Sequence, residues 1–113
     1  MSLVRFDGAA EIRGAGGDYA GHRGQALEVS RISFDKGQGA DVHQHPEEQV
    51  MYVLSGRLRV TCGDETYEVA PGQATFNPSN VPHGVTALED VVVLSVKSEV
   101  PPNETGEGAG SPR

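Results

Sequence analysis

Apolar and polar residues alternate at a spacing of two through much of this chain, and this spacing limits the fold more than any other feature. The segment RLRVTC (57–62) sets Leu58, Val60 and Cys62 against two arginines, and TYEVA (66–70) shows the same alternation. Successive side chains of a β-strand point to opposite faces, so these segments predict strands with one buried face. Helical periodicity is hard to find anywhere in the chain. The sequence therefore predicts an all-β protein.

Turn signals divide the chain into short segments. Glycine, proline, asparagine and aspartate cluster in DKGQG, CGDE, APGQ, NPSN and LED, which favour turns. Short strands at intervals of about 8 to 12 residues are typical of a sandwich or a small barrel. VMYVL (50–54) and VVVLSV (91–96) are continuous apolar runs, and we expect them to be buried on both faces. In ALEVSRISF (26–34) the apolar residues change parity, which predicts a bulge or bend near Ser30.

The 113 residues suffice for a single domain with a modest core. Residues 1–24 are glycine-rich, and we expect them to supply edge strands or strands exchanged with a partner. Residues 25–100 hold the strand pattern and should form the barrel. The remaining segment, PPNETGEGAGSPR (101–113), is polar and poor in apolar residues, so it is predicted to be a disordered tail.

Charge and composition exclude several classes of partner. The net charge is −7 and no basic cluster stands out, which argues against nucleic acid and anionic membranes as partners. No apolar run approaches the roughly 20 residues of a membrane helix. The N-terminal sequence lacks an apolar segment suited to secretion, and one cysteine allows no internal disulfide. A cytoplasmic location is the resulting expectation.

Histidines are concentrated in DVHQHPEEQVMYVLSG (41–56). His43 and His45 stand two apart, so in an extended chain both point to one face, where imidazoles can converge on a metal ion. Gln49 shares their parity if the chain stays extended through the intervening proline, whereas Glu48 has the opposite parity. His83, in NPSNVPHGV, starts another predicted strand and is the candidate for a fourth ligand.

These residues resemble the first motif of the cupin superfamily, G-x5-H-x-H-x3-4-E-x6-G. Gly37, His43, His45 and Gly56 fit every spacing, and Gln49 takes the place of the glutamate.

The second cupin motif, G-x5-P-x-G-x2-H-x3-N, also has a counterpart. Gly72, Pro78 and His83 match it, Asn80 replaces a glycine, and Ala87 replaces the final asparagine. Asparagine tolerates a left-handed backbone, so the exchange at Asn80 keeps the turn. The two motifs cover roughly residues 25–97.

The resemblance implies a single-domain jelly-roll β-barrel with a divalent transition metal (Ni, Zn, Fe or Mn) near one mouth. The implied ligands are His43, His45, Gln49 and His83. A glutamine carbonyl brings no charge, so the site keeps a charge of about +2 with three neutral imidazoles. Such a site favours an anionic oxygen donor, and we therefore expect an anionic small-molecule ligand.

Three histidines with one glutamine are similar to the small pectin-degradation cupins of the KdgF type, which open ring-form unsaturated uronates. Members of that group end the last strand with an acid, an aromatic residue and an arginine that contact the sugar. This chain has Ser95 and Lys97 in LSVKSEVPP instead, so Lys97 is a candidate for binding a ligand carboxylate. Met51 and Phe76 share the parity expected of the barrel interior and are further candidates for substrate binding.

Three functions are compatible with this site. The first is an isomerase or tautomerase in which the metal polarises a carbonyl or enolate oxygen of a sugar-like or carboxylated substrate. The second is a metal-dependent dioxygenase, and the third is a non-catalytic small-molecule-binding cupin. We also expect a homodimer, because the aliphatic runs exceed what one thin barrel can bury.

Overall fold

The computed structural model describes Leu3 and residues 18–98, and its regular elements are nine strands in two antiparallel sheets. The larger sheet has the order β1-β2-β9-β4-β7, and the smaller sheet has the order β3-β8-β5-β6. The predicted all-β jelly-roll domain is confirmed. The described part of the chain contains no helix that could cross a membrane. The strands are β1 (Asp18–Arg23), β2 (Leu27–Phe34), β3 (Gly39–His43), β4 (Gln49–Ser55), β5 (Leu58–Cys62), β6 (Glu65–Val69), β7 (Ala74–Asn77), β8 (His83–Ala87) and β9 (Val91–Ser98).

The first described strand, β1, forms one edge of the larger sheet and pairs antiparallel with β2 along its whole length. An edge strand is what residues 1–24 were expected to supply, and β1 accounts for the end of that segment. Residues 1–2, 4–17 and 99–113 lie outside the described part of the chain. Strand exchange with a partner and the disordered tail at 101–113 therefore stay predictions.

The core lies between the two sheets and is aliphatic. Its most deeply buried side chains come from both sheets, so each sheet covers the apolar face of the other. Burying one such side chain contributes about 1.5–3 kcal/mol, which is why strand parity decides the stability of this fold. These side chains are Phe34, Val53, Leu58, Val60, Val91 and Val93.

The expectation that the apolar runs are buried on both faces was wrong for the chain as described. In β4, Met51 and Val53 face the core, but Val50, Tyr52 and Leu54 remain 40–48% exposed. A two-layer fold has one core, so only one face of each sheet is covered. The outward half of these runs forms, with Phe76 and Leu27, an apolar patch that we call the outer apolar face: Leu27, Val50, Tyr52, Leu54 and Phe76.

The bulge predicted near Ser30 is also absent, because β2 pairs with β9 without interruption from Leu27 to Phe34. One parity faces inward throughout, and it carries Glu28 and Ser30 before Ile32 and Phe34. The apparent change of phase in the sequence therefore reflects a change of chemistry along one face, from polar at the start of β2 to apolar at its end.

The polar end of β2 belongs to a row of polar residues that crosses all five strands of the larger sheet. Its members are Cα partners in succession from β1 to β7, and we call them the polar row: Arg23, Glu28, Lys97, Gln49 and Asn77. The next inward-facing position on each of four strands is held by Ser30, Ser95, Met51 and Thr75. The inward-facing side chains after these are aliphatic. The inward-facing side chains therefore change from polar at one end of the barrel to aliphatic at its middle. A polar site lies at the polar end.

Candidate metal centre

Three histidines meet at the polar end of the barrel because of how β3 and β8 pair. His43 ends β3, His83 begins β8, and the two are Cα partners after an irregularity in the register that follows Ala40. His45 lies two residues beyond His43, in the loop that leads to β4. The turn before His83 contains Asn80 at φ 59°, the left-handed conformation expected for the residue that replaces glycine.

Hydrogen bonds between the two loops fix the relative positions of His45 and His83. The Asn80 backbone N–H donates to the His45 carbonyl at 2.8 Å, and the Ser79 hydroxyl donates to the Pro46 carbonyl at 2.6 Å. The loops are therefore joined by one backbone–backbone and one side chain–backbone hydrogen bond.

The three imidazoles are close enough to share one ion. Their ring centroids lie 5.3 Å apart for His43 and His45, 4.6 Å for His43 and His83, and 4.7 Å for His45 and His83. One ring nitrogen from each lies within 4.8 Å of those of the other two. A cluster of this size could hold a divalent metal ion with only small movements of the side chains.

Hydrogen bonding of the other ring nitrogens sets the tautomer of all three histidines. Nδ1 of His43, His45 and His83 lies 2.7–2.9 Å from the carbonyl oxygens of Asp41, Glu47 and Val81. A carbonyl only accepts, so each Nδ1 carries the proton and each Nε2 presents its lone pair. This arrangement is the usual support for a histidine that ligates a metal.

The Nε2 atom of His83 is buried and has no hydrogen-bond partner among the residues that the structure describes. His83 is only 2% exposed, so a buried acceptor without a partner costs about 1–3 kcal/mol. A metal ion held by Nε2 would remove this cost, and the residues present therefore fit a divalent ion.

The surroundings of His45 and His83 favour the neutral form of each imidazole. Burial lowers the pKa of His45 and of His83, and the nearby Lys97 ammonium and neighbouring imidazoles lower both pKa values further. The hydrogen bonds to Glu47 and Val81 act in the opposite direction without reversing the shift. Since only a neutral imidazole ligates a metal, the shifts favour the ligating form.

Gln49, the predicted fourth ligand, begins β4 and lines the same cavity as the three histidines. Its Nε2 donates to Ser95 Oγ at 2.8 Å, and its Oε1 accepts from Asn77 Nδ2 at 3.1 Å. Both ends of the amide are thus held, while the carbonyl oxygen has a second lone pair for an ion. Direct coordination by Gln49 stays a prediction.

The remaining candidates separate into two groups. Met51 and Lys97 line the cavity with the histidines, as expected. Phe76 does not, because its side chain is 51% exposed on the outer apolar face and packs in register with Val50. The inward residues of β7 are Thr75 and Asn77, so the parity assigned to this strand was wrong by one, which moves every side chain to the opposite face.

Sequence reasoning missed the polar residues that surround the ligands. Glu28, Ser95 and Asn77 are 6%, 4% and 0% exposed. A polar residue in a sequence usually predicts a solvent-exposed side chain, so these three were not expected in the interior. The available signal was parity: Glu28 stands four before Ile32 and Ser95 two after Val93, each on the inward face of its strand.

Comparison with known proteins agrees with this architecture. The sequence profile of the Cupin_2 family, described as a cupin domain, matches residues 30–97. An uncharacterized protein of Streptomyces coelicolor is 35% identical over 77 residues, which are 67% of this chain and 73% of that protein. An H2HPP isomerase of Bacillus subtilis is 38% identical over 55 residues, which are 48% of this chain but only 23% of that protein. Among solved structures, KdgF from Halomonas sp. superposes with a TM-score of 0.79 at 26% identity, over 91% of this chain and 99% of that one.

Proposed function

Because the chain belongs to the Cupin_2 family, we propose that it is a metal-binding cupin that isomerises or tautomerises a small anionic substrate. The observation that carries the proposal is the set of three histidines with protonated Nδ1 atoms and free Nε2 atoms, one of which is buried without a partner. The similarity of this chain to a protein named as an isomerase supports this reaction class.

Each residue of the cavity has a separate role in this proposal. His43, His45 and His83 would hold the divalent ion, with Gln49 as a neutral fourth ligand. When bound, the ion would supply Lewis-acid stabilisation of the negative charge that develops on a carbonyl or enolate oxygen. Met51 is 4% exposed and closes the inner end of the cavity against water. Lys97 attracts the anionic substrate and lowers the energy of its negative charge.

Hydrogen exchange tests this function directly. Protein loaded with nickel or zinc should catalyse exchange of hydrogens next to the carbonyl of a 2-oxo acid or keto sugar in D₂O, followed by proton NMR. The His45→Ala variant should exchange at the background rate. Oxygen consumption without exchange would indicate the dioxygenase instead, and tight binding with neither reaction would indicate a non-catalytic binding cupin.

We propose further that the protein is a homodimer that buries the outer apolar face. Tyr52 is central to this face, since it is the Cα partner of Leu94 on one side and of Ala74 on the other. Two copies of one apolar patch can cover each other through two-fold symmetry, as in most homodimers. A second copy therefore accounts for the apolar residues that the single barrel leaves exposed.

A charge placed in this face should separate the dimer. Tyr52→Arg would bring two arginines together at the interface, so light scattering at micromolar concentration should fall from twice the mass of one chain to the mass of one chain. Thr86→Arg adds the same charge to an exposed position of the smaller sheet and should leave the mass unchanged. A wild-type mass of one chain would rule out the dimer.

A further inference from the structure

The polar row contains an acid that the proposed reaction does not use. Glu28 has a side chain only 8% exposed, on the inward face of β2. Its carboxylate lies between two cations, with Lys97 Nζ at 3.6 Å and Arg23 Nη2 at 3.9 Å. Burying a carboxylate costs several kcal/mol unless a cation compensates it. Glu28 is therefore paired in the barrel interior, beside the cavity.

Lys97 connects this acid to the cavity. Its ammonium is an ion-pair partner of Glu28, but 3.6 Å is longer than a hydrogen bond. Within residues 18–98 the Lys97 ammonium has no hydrogen bond, so its N–H donors are available to a ligand or to water. Its side chain lines the cavity together with the histidines and Gln49, and its charge contributes to the lowered pKa of His45 and His83.

The cavity limits the size of what can lie between Lys97 and the histidines. Its volume is about 140 Å³. A cavity of about 150 Å³ holds benzene, so a ligand of about six non-hydrogen atoms fits, and a longer one extends towards the mouth. A short carboxylic acid with a hydroxyl or keto oxygen beside the carboxylate has this size and carries two kinds of oxygen donor.

We propose that Lys97 binds a short oxygenated carboxylate in the cavity and that Glu28 weakens the binding of a second carboxylate on the same ligand. This inference rests on the proposed function, because it concerns the ligand of the same site. Lys97 donates to the carboxylate, while the neighbouring hydroxyl or keto oxygen occupies the histidine end of the cavity. Glu28 opposes a second carboxylate, since its own negative charge lies 3.6 Å from the Lys97 ammonium.

The effect of Glu28 follows from its negative charge beside Lys97 in the polar row. Coulomb energy scales with the charge of the ligand, so Glu28 repels a dianion about twice as strongly as a monoanion in the same place. Replacing Glu28 by a neutral residue should therefore improve the binding of a dianion more than that of a monoanion. Replacing Lys97 should weaken both, because the attracting charge is lost.

Two matched ligands test the proposal by isothermal titration calorimetry on zinc-loaded protein. Glycolate carries one carboxylate and a hydroxyl, and tartronate is the same molecule with a second carboxylate. Glu28→Gln should raise the ratio of tartronate to glycolate affinity about tenfold. Lys97→Met should lower glycolate affinity about tenfold, and Lys97→Arg should restore most of it. Comparing the affinity ratio of one variant with that of another cancels the effect of the different sizes of the two ligands.

Glu48→Gln is the matched control, because Glu48 lines a groove on the outside of the sheet with Leu27 and Phe76. It removes the same charge and should leave the affinity ratio within about twofold. If wild-type protein retains no zinc, the proposed function fails with the inference. If zinc is retained but glycolate does not bind, or the ratio is the same in wild type, Glu28→Gln and Glu48→Gln, the inference alone is overturned.

Discussion

Protein carrying His83→Ala should retain less than about a tenth of the divalent metal bound by the wild type, because removing one of the few ligands of such a site removes a large part of its affinity. His83 has the largest expected effect of the three histidines. It is the most buried, and its Nε2 atom has no other partner in the described part of the chain. Elemental analysis of protein purified without chelating resin measures the loss.

His22→Ala is the control for this experiment, since His22 is the one other histidine in the sequence. It should leave the metal content unchanged. His45→Ala should also lose metal, though less completely, because its imidazole belongs to the same cluster. Equal metal content in wild type, His45→Ala and His83→Ala would show that the cluster is not the metal site.

Gln49→Glu should bind the metal about tenfold more tightly and an anionic ligand more weakly. A carboxylate adds a negative charge next to the ion, which strengthens the attraction for the cation and lowers the net charge that attracts the ligand. The surroundings accept the exchange, because the Ser95 hydroxyl can rotate to donate to a carboxylate and Asn77 Nδ2 already donates to Oε1. Competition with a metal-sensitive dye and calorimetry with glycolate measure the two effects.

Glu48→Gln, one residue away, should produce neither effect. Both residues line the outer groove, but only Gln49 also lines the cavity with the histidines. If Glu48→Gln removed the metal and Gln49→Glu had no effect, the ligand would be Glu48, and the preference for an anionic oxygen donor would lose its basis.

The fold and the histidine cluster could be predicted because both depend on strong local patterns. Strand alternation decides which side chains are buried, and His43 and His45 stand two apart at the end of β3 and in the loop after it. His83 was found through its position at the start of a predicted strand after turn residues, and through its match to the second cupin motif.

The errors came from places where the local pattern does not contain the deciding information. ATFN (74–77) is too short to show its parity, and pairing with β4 decides that Phe76 faces outward. Glu28 is buried because Lys97, almost seventy residues away in the sequence, stands opposite it in β9. A short stretch of sequence does not show which distant residue will lie opposite a given side chain. It also does not show which face of a sheet will stay uncovered in the folded barrel.

The hydrogen bonds from Asn80 to His45 and from Ser79 to Pro46 have a consequence for how the protein acquires an ion. Both join the two ligand-bearing loops through groups that are not metal ligands, so the conformational entropy of these loops is lost when the chain folds. Metal binding therefore costs little further conformational entropy. Zinc fingers differ, because they fold only when the metal binds. A chelator should therefore exchange the ion in a barrel that stays folded, and one polypeptide can be loaded in turn with different metals.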